Sequence, residues 1–366
     1  MNAPFPFGFP LPTGFYLTMY VVTLVIHVVF MNYVLAGSAW LAVAGMFPGR
    51  NRGQLADSPI SRVLRDWMPF AVSAAITAGV APLLFIQILY MENFYTANLL
   101  LFHRWMAIVP VLIVGFYLTY LFKSKTIGAW PGWSRVLVGL AMFGCFLFAG
   151  LSWTENHLLA LDRSNWPGFY GSGSIIYRNP DILPRLAMWT AGAFPAMATL
   201  VGWQLLSTGD EMASRDAASE SAAASARMLA LLAVIGLIIA AGFAALYFFL
   251  LPAALRETLL GPLNFPYLIA AGIGALAQCA AWHLVFHGRR PTRPLLALAS
   301  AGLALTLFGM TVARETLRLG TIDIEKLYPQ HAATSEKGGL IVFLAFFVIN
   351  AVLIAWCLKL VRRRGE

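Results

Sequence analysis

The chain has 366 residues, of which 60% are hydrophobic and 11% are charged, and its mean hydropathy is +0.74. Soluble domains carry about 25% charged residues, so this composition excludes an ordinary soluble enzyme and indicates a membrane protein. The net charge of +9 does not indicate nucleic-acid binding, because the basic residues lie mostly in short loops between apolar runs. The three cysteines are isolated, so we expect neither a disulfide framework nor a CxxCH site for covalently attached haem.

Nine stretches of the sequence are long and apolar enough to cross a bilayer, which takes about 20 predominantly apolar residues. We therefore predict an all-α integral membrane protein, a bundle of nine transmembrane helices that forms a single membrane domain over residues 1–366. The polar, low-complexity stretch 209–227 is interpreted as a linker, either flexible or helical at the surface. The predicted spans are 14–46, 68–91, 102–122, 134–155, 183–206, 228–251, 265–287, 294–316 and 339–361.

The positions of lysine and arginine predict the orientation of the bundle. With nine spans, the loops on one side of the membrane and the C-terminal tail together hold 16 of the 25 lysine and arginine residues. Because basic loops stay in the cytoplasm, we expect the C-terminus and the 209–227 linker inside and the N-terminus outside, in the bacterial inner membrane. The tail KLVRRR (359–364) and the turn HGRRPTR (287–293) are the clearest anchors.

The first span contains one histidine, His27, in the stretch VVTLVIHVVFMNYVLAG (21–37). An ionisable residue inside a bilayer is costly and is a functional hypothesis by default. His27 falls on one helical stripe with Tyr20, Thr23 and Met31, so we expect it to face the bundle and not lipid. Two interpretations stay open from the residues alone: an interhelical hydrogen bond, or an axial ligand of haem iron.

The predicted outer end of the bundle collects a chemically mixed set of residues. Histidine and methionine are ordinary haem ligands, and arginines can neutralise haem propionates or tune a potential by their charge. A site for a hard metal ion would need more carboxylates close together. These candidates are His103, Arg104, His157, Met188, Arg314, Glu315 and Arg318.

Two further histidines, His283 and His287, are four residues apart on one helix face, a spacing that can hold a metal ion or flank a cofactor. They lie beside the basic turn at 287–293, so we interpret them as interfacial residues at the predicted inner end. His331 lies in a predicted outer loop and is given no role. The sequence holds no Walker loop, GxGxxG–helix unit or nucleophile elbow, so nucleotide chemistry and hydrolysis have no support.

Several stretches, spread over most of the chain, carry a resemblance to a known family. They are TMYVVTLVIHVVFMNYVLAG (18–37), ITAGVAPLLFIQILYMENF (76–94), SWTENHLLALDRSNWPGF (152–169), RNPDILPRLAMW (178–189) and GMTVARETLRLG (309–320). In this order they resemble subunit I of cytochrome bd-type quinol oxidases, a family with nine spans and an outside N-terminus. The resemblance implies that His27 binds a haem, because it stands at the position of the haem-binding histidine of the family's first helix. Glu315 and Arg318 are the nearest matches to the family's haem-ligating glutamate and the arginine that follows it.

The sequence departs from the family's pattern at three places. Met188 stands where the family has the histidine ligand of its low-spin haem, and Ala270 stands near the place of the partner methionine. The third span (105–121) lacks the buried carboxylates that deliver protons to the family's oxygen site, and oxygen reduction needs such groups. The loop at 252–264 is shorter than the family's quinol-binding loop. The resemblance therefore implies a divergent relative that binds haem and does not work as an oxidase.

The resemblance and its departures together predict a haem b-containing electron-transfer subunit of a respiratory membrane complex, part of an oxidoreductase. It would move electrons between the quinone pool and a c-type cytochrome subunit at the outer face, together with other membrane subunits. We expect one or two haem b groups, and at most three. His27 is the expected axial ligand of one, Met188 with His103 or His157 are candidates for another, and Glu315 is a weak ligand or a neighbour of a propionate. Two alternatives stay open: a functional bd-type quinol:oxygen oxidoreductase, and a haem-free membrane scaffold subunit.

Overall fold

The computed structural model describes residues 3–46, 55–56, 58–128, 130–209, 216–288 and 290–337, with 341–342, 344–349, 352–353 and 356. Over these residues the chain is helical and contains no strand. In chain order the helices are α1 (Leu11–Met46), α2 (Pro59–Leu89), α3 (Met91–Leu100), α4 (Phe102–Lys123), α5 (Lys125–Gly128), α6 (Gly132–Leu161), α7 (Trp166–Gly171), α8 (Ile182–Gly209), α9 (Asp216–Leu250), α10 (Ala253–Leu260), α11 (Phe265–Gly288), α12 (Arg293–Thr321) and α13 (Tyr328–Glu336).

Eight helices within the described residues are long and apolar enough to cross a membrane: α1, α2, α4, α6, α8, α9, α11 and α12. Their outer surfaces expose large apolar side chains, as on α4, where Val109 is 64% and Tyr117 is 68% exposed. Such apolar surfaces suit contact with lipid. Lipid offers no hydrogen-bond partners, and a helix does not need them because its backbone N–H and C=O groups pair with each other. The prediction of an all-α, multi-pass membrane protein is therefore confirmed, and its orientation stays a prediction.

The long helices overlap the first eight predicted spans, and some extend beyond them into polar sequence. α2 begins at Pro59 and not near 68, because proline suits the first helical position and the Ser58 side chain caps the helix. The Ser58 hydroxyl oxygen accepts the backbone N–H of Ser61 at 3.2 Å. Hydropathy alone does not detect such a start, since capping is carried by polar residues.

The predicted linker 209–227 and the predicted ninth span 339–361 have different outcomes. Residues 216–227 form the first turns of α9, and residues 210–215 lie outside the described part of the chain. About half of the stretch 339–361 also lies outside the described residues, so the ninth span stays a prediction.

One end of the bundle is closed by short helices. We call it the N-terminal end: α1, α4, α8 and α11 begin there, and α2, α6, α9 and α12 finish there. The connecting helices α3, α7, α10 and α13 lie at this end. Asn93 Nδ2 of α3 donates to the Ala160 carbonyl of α6 at 2.8 Å. At the same end, the Phe5 N–H donates to the Leu263 carbonyl at 3.0 Å and joins the segment before α1 to the loop between α10 and α11.

Helix α1 lies at the centre of the bundle and packs against α2, α6, α8 and α12. Helices α11 and α12 lie in backbone contact, because a Cβ atom added to Gly274 would meet the Gly302 carbonyl oxygen and one added to Gly309 would meet the Tyr267 carbonyl oxygen. Small residues allow this close approach of membrane helices. The central position of α1 and the close α11–α12 pair together place the C-terminal half of α12 beside the first half of α1.

Candidate functional site

The His27 imidazole faces helix α2 and is only partly exposed. Its Nδ1 lies 2.9 Å from the carbonyl oxygen of Ala75, one helical turn before Gly79. A Cβ atom added to Gly79 would lie 2.9 Å from His27 Cε1 and 3.0 Å from Nδ1, so the imidazole lies in the space that a side chain would fill. The glycine thus allows the ring to reach the backbone of the neighbouring helix.

The partner of Nδ1 determines the chemistry of the other nitrogen. A carbonyl oxygen can only accept, so His27 Nδ1 carries the hydrogen and Nε2 keeps its lone pair. No described residue forms a hydrogen bond with His27 Nε2. Metal-bound histidines commonly show this arrangement, with one nitrogen donating to a backbone carbonyl and the other free for the metal.

Polar side chains from several helices meet at the N-terminal end of the bundle. On α1 this meeting point is at Tyr20, two turns before His27. They come from α1, the α2–α3 junction, α6, α8 and α12. We call this group the buried charged cluster; its members are Tyr20, Tyr90, His157, Arg185, Arg314, Glu315 and Arg318. All are buried except Arg314, which is partly exposed as a whole although its Nε atom is buried.

Glu315 is the carboxylate of the cluster, and both of its oxygens have partners. Tyr90 donates its O–H to Oε1, and Arg318, one turn later on α12, forms an ion pair with Oε2 at 2.6 Å. Glu315 is 1% and Arg318 is 2% exposed. Burial, and then the charge of Glu315, raise the pKa of Tyr90 well above its ordinary value, so the phenol keeps the proton that it donates.

Arg318 also holds His157, which lies on α6. Its Nη2 lies 2.7 Å from His157 Nδ1. An arginine only donates, so Nδ1 accepts and the neutral imidazole carries its hydrogen on Nε2. That Nε2 is buried and has no hydrogen-bond partner among the described residues. His157 therefore presents a donor at Nε2, whereas His27 presents a lone pair there.

The other two arginines of the cluster have no carboxylate within ion-pair distance among the described residues. The Arg314 guanidinium lies 5.3 Å from the Trp189 ring centroid, and its Nε is buried without a partner. Arg185 donates to the Tyr247 hydroxyl at 3.2 Å. A buried donor without an acceptor costs about 1–3 kcal/mol, and more when it is charged. The cluster therefore combines an excess of positive charge with unused donors.

The structure brings some of the predicted outer residues together and leaves others apart. His157, Arg314, Glu315 and Arg318 all belong to the buried charged cluster. His103 is exposed on α4, where its ring packs against Phe102, so it lies outside the cluster.

Two more of the predicted residues lie beside the cluster. Arg104 forms an ion pair with Glu155, with 2.8 Å between Nε and Oε2, and so already has a carboxylate. Met188 is half-buried on α8, between Arg185 and Trp189 along the same helix. Its sulfur has no described polar contact, which leaves the predicted ligand role without geometric support or objection.

Sequence reasoning did not single out Arg185, Tyr90 or His331. Arg185 had a usable signal, since an arginine inside a predicted span is costly and marks a functional candidate. His331 is fully buried: its Nε2 lies 3.1 Å from the Leu89 carbonyl oxygen, and its Nδ1 lies 2.9 Å from the Thr13 hydroxyl. It joins α13 to the beginning of α1 and the end of α2.

The predicted interfacial pair, His283 and His287, lies at the opposite end of the bundle. Both residues are exposed and their ring centroids are 4.5 Å apart. A cavity of about 470 Å³ lies beside them between α9 and α11, and its lining is almost entirely apolar. Among the described residues no group of three or more histidine, cysteine, aspartate or glutamate side chains is placed to hold a metal ion.

Comparison with known proteins adds no assignment. No protein-family model matches the sequence, and no curated protein matches it significantly. The function is therefore argued from the residues themselves.

Proposed function

We propose that this chain is a haem b-containing electron-transfer subunit of a respiratory membrane complex. The single observation that carries the proposal is the state of His27, whose Nδ1 donates to the Ala75 carbonyl and whose Nε2 keeps a free lone pair. The resemblance of the first span to the haem-binding helix of bd-type oxidases supports the same role.

The residues near His27 meet one further requirement of a haem, which is positive charge. Haem carries two carboxylates besides its iron, so a site needs positive charge at some distance from the axial ligand. Tyr20, which lies under the Arg318 guanidinium, is two turns from His27 along α1, about 10 Å on the helix axis. Arg314 is near enough to act electrostatically on His27. The free imidazole nitrogen and the buried charged cluster thus lie in one neighbourhood.

The chain's own residues would then have distinct roles. A haem bound there supplies a one-electron iron couple. His27 would hold the iron, and its hydrogen bond to Ala75 fixes the orientation of the ring. The charges of Arg314 and Arg185, which have no carboxylate within ion-pair distance among the described residues, would stabilise negative charge nearby and would raise the potential of a neighbouring electron carrier. Glu315, with both oxygens engaged, acts by its charge and by positioning Arg318.

The proposed partners follow from the location of the cluster. It lies at the N-terminal end, which the distribution of basic residues predicts to face outward. A c-type cytochrome subunit at that face is the proposed electron partner, since this chain has no CxxCH site of its own. Quinone in the bilayer is the proposed second partner, and other membrane subunits complete the complex.

The haem content of the purified protein tests the proposal. A pyridine haemochrome assay is run on the wild type, on His27→Ala and on His103→Ala, a control at an exposed histidine. We expect haem b in the wild type, a loss of roughly one equivalent in His27→Ala because one axial ligand is removed, and no loss in His103→Ala. Wild-type protein without a Soret band would instead support a haem-free scaffold.

A second measurement separates the electron-transfer proposal from the oxidase alternative. A reduced-minus-oxidised spectrum with a haem d band, together with oxygen uptake on quinol, would establish a bd-type oxidase. We expect haem b bands only and no oxygen uptake. The third membrane-spanning helix, α4, contains no carboxylate that could deliver protons to an oxygen site.

A further inference from the structure

Two donors of the buried charged cluster have no acceptor within the part of the chain that the structure describes. His157 Nε2 carries a hydrogen because Nδ1 accepts from Arg318, and Arg314 Nε carries one because a guanidinium stays protonated. Both atoms are buried, and His157 is 3% exposed. Native proteins rarely leave such donors unused, so each is a reason to look for a bound group.

Charge indicates what kind of group the donors would bind. Arg185, Arg318 and Arg314 are the charged groups that act electrostatically on His157. Glu315 is already shared between Arg318 and Tyr90. Glu155, two residues before His157 on α6, is paired with Arg104. Asp181, the residue before the start of α8, interacts electrostatically with Arg185 but forms no ion pair with it among the described residues. The unused donors therefore lie in a region of excess positive charge, which favours an anionic acceptor.

We propose that His157 Nε2 and Arg314, with Arg185 as a further positive charge, form a buried carboxylate-binding site. The site rests on the proposed function in one respect, since the first candidate for the bound carboxylate is a propionate of the proposed haem. A free dicarboxylate is the second source, and both present the same chemistry. A carboxylate oxygen accepts from the imidazole while the guanidinium donates to the group, and such charge-assisted bonds are short and strong.

This site changes the role of His157 within the proposed function. The residue was predicted as a candidate haem ligand, but a ligand needs a free lone pair at the nitrogen that meets the iron. With Arg318 donating to Nδ1, the neutral ring offers a donor to the carboxylate and no lone pair. His157 thus becomes a binding residue for an acidic group, and His27 remains the proposed ligand.

The test compares protohaem with its dimethyl ester, in which both carboxylates are blocked. Each is added to haem-free protein in detergent, and the dissociation constant is read from the Soret band. We expect wild type to bind protohaem roughly tenfold or more tightly than the diester, a preference that one charge-assisted bond would supply. Arg314→Gln and His157→Phe should bring the ratio near one, while His157→Gln, whose amide can still donate, should retain part of it.

Arg163→Gln is the matched control, since Arg163 is paired with Glu92 at 2.7 Å and is about half exposed. It should leave the ratio unchanged. Melting temperature and gel-filtration profile of the haem-free variants show that each is folded. Equal binding of protohaem and the diester by wild type, or a ratio unaffected by Arg314→Gln, would rule out a haem propionate as the bound carboxylate. The site as a whole is overturned if, in addition, succinate does not raise the melting temperature of the wild type.

Succinate added to haem-free protein distinguishes the second source. A rise in melting temperature in wild type that is lost in Arg314→Gln would support the site with a free dicarboxylate as its ligand. If this occurs without any haem binding, the site stands and the proposed haem function fails. If haem b is bound through His27 without a preference over the diester, and succinate has no effect, the proposed function stands and the site fails.

Discussion

Gly79 lies directly against the imidazole of His27, and the missing side chain at this position is what allows Nδ1 to reach the Ala75 carbonyl at 2.9 Å. The contact joins the centres of α1 and α2, inside the apolar part of the bundle. A polar ring is tolerated here because the backbone of the neighbouring helix supplies an acceptor. The same acceptor leaves Nε2 unprotonated and available to a metal.

Gly79→Ala tests whether this space matters. The added methyl group would lie 2.9 Å from His27 Cε1, closer than real contacts allow, so the ring must move away from Ala75. We expect a loss of stability of about 1–3 kcal/mol from overpacking, and a lower haem content than in wild type. Gly144→Ala is the control, because a Cβ atom there meets nothing within 4 Å. Unchanged haem content and melting temperature in Gly79→Ala would contradict the packing argument.

Glu315→Gln tests the buried ion pair with Arg318. The substitution leaves a buried guanidinium without its carboxylate, and such a loss costs about 3–5 kcal/mol. Asp323→Asn removes the carboxylate of an exposed pair with Lys326 and should change stability by less than about 1 kcal/mol. Thermal unfolding of both variants in the same detergent checks the difference. Similar small effects in both would show that the cluster does not depend on Glu315.

A double-mutant cycle tests the contact between Tyr90 and Glu315. Because the pKa of Tyr90 is raised, its O–H remains a donor at any pH suitable for the measurement. We expect Tyr90→Phe and Glu315→Gln to be non-additive, with a coupling of about 0.5–3 kcal/mol. Tyr170→Phe, at a residue 81% exposed, should combine additively with Glu315→Gln. Additivity in the first cycle would mean that the hydrogen bond contributes nothing measurable.

His331 should make the N-terminal end sensitive to acid. Burial lowers the pKa of His331 below its ordinary value of 6.5, although the hydrogen bond to the Leu89 carbonyl acts in the opposite direction. Below pH 6.5 the unfolded chain therefore binds a proton that the folded chain does not, so stability falls as the pH falls, by at most about 1.4 kcal/mol per pH unit. Above that pH this contribution is fully present.

The measurement is the melting temperature of wild type and His331→Asn from pH 7.5 to 5, roughly the range in which histidine titrates. Asparagine retains a donor and an acceptor but does not titrate, so the variant should lose less stability on acidification. The difference between the two curves isolates His331 from the other histidines. Parallel curves would contradict the assignment.

Helix positions and the inward direction of His27 could be predicted from the sequence, because both depend on local pattern. Twenty apolar residues make a span of about the right length, and a stripe of polar residues spaced by three or four marks the buried face. The start of α2 at Pro59 was missed because it depends on a cap and not on hydropathy.

The arrangement of the cluster could not be predicted in the same way. His103 and His157 both lie near the predicted outer ends of spans, yet His103 is exposed whereas His157 is buried. The difference depends on which helices pack beside them. The bond from Arg318 to His157 joins positions 161 residues apart, and only the relative depth and rotation of α6 and α12 bring them together.

The glycine contacts between α11 and α12 have a mechanical consequence for this cluster. The backbones of these two helices touch at Gly274, Gly302 and Gly309, and Gln278 donates to the Thr306 hydroxyl across them at 3.0 Å, so we expect the pair to move as one body. Arg314, Glu315 and Arg318 belong to that body, while Tyr20 and His157 belong to its neighbours. Any rocking of the α11–α12 pair against the rest of the bundle must therefore strain or break the hydrogen bonds of the cluster first.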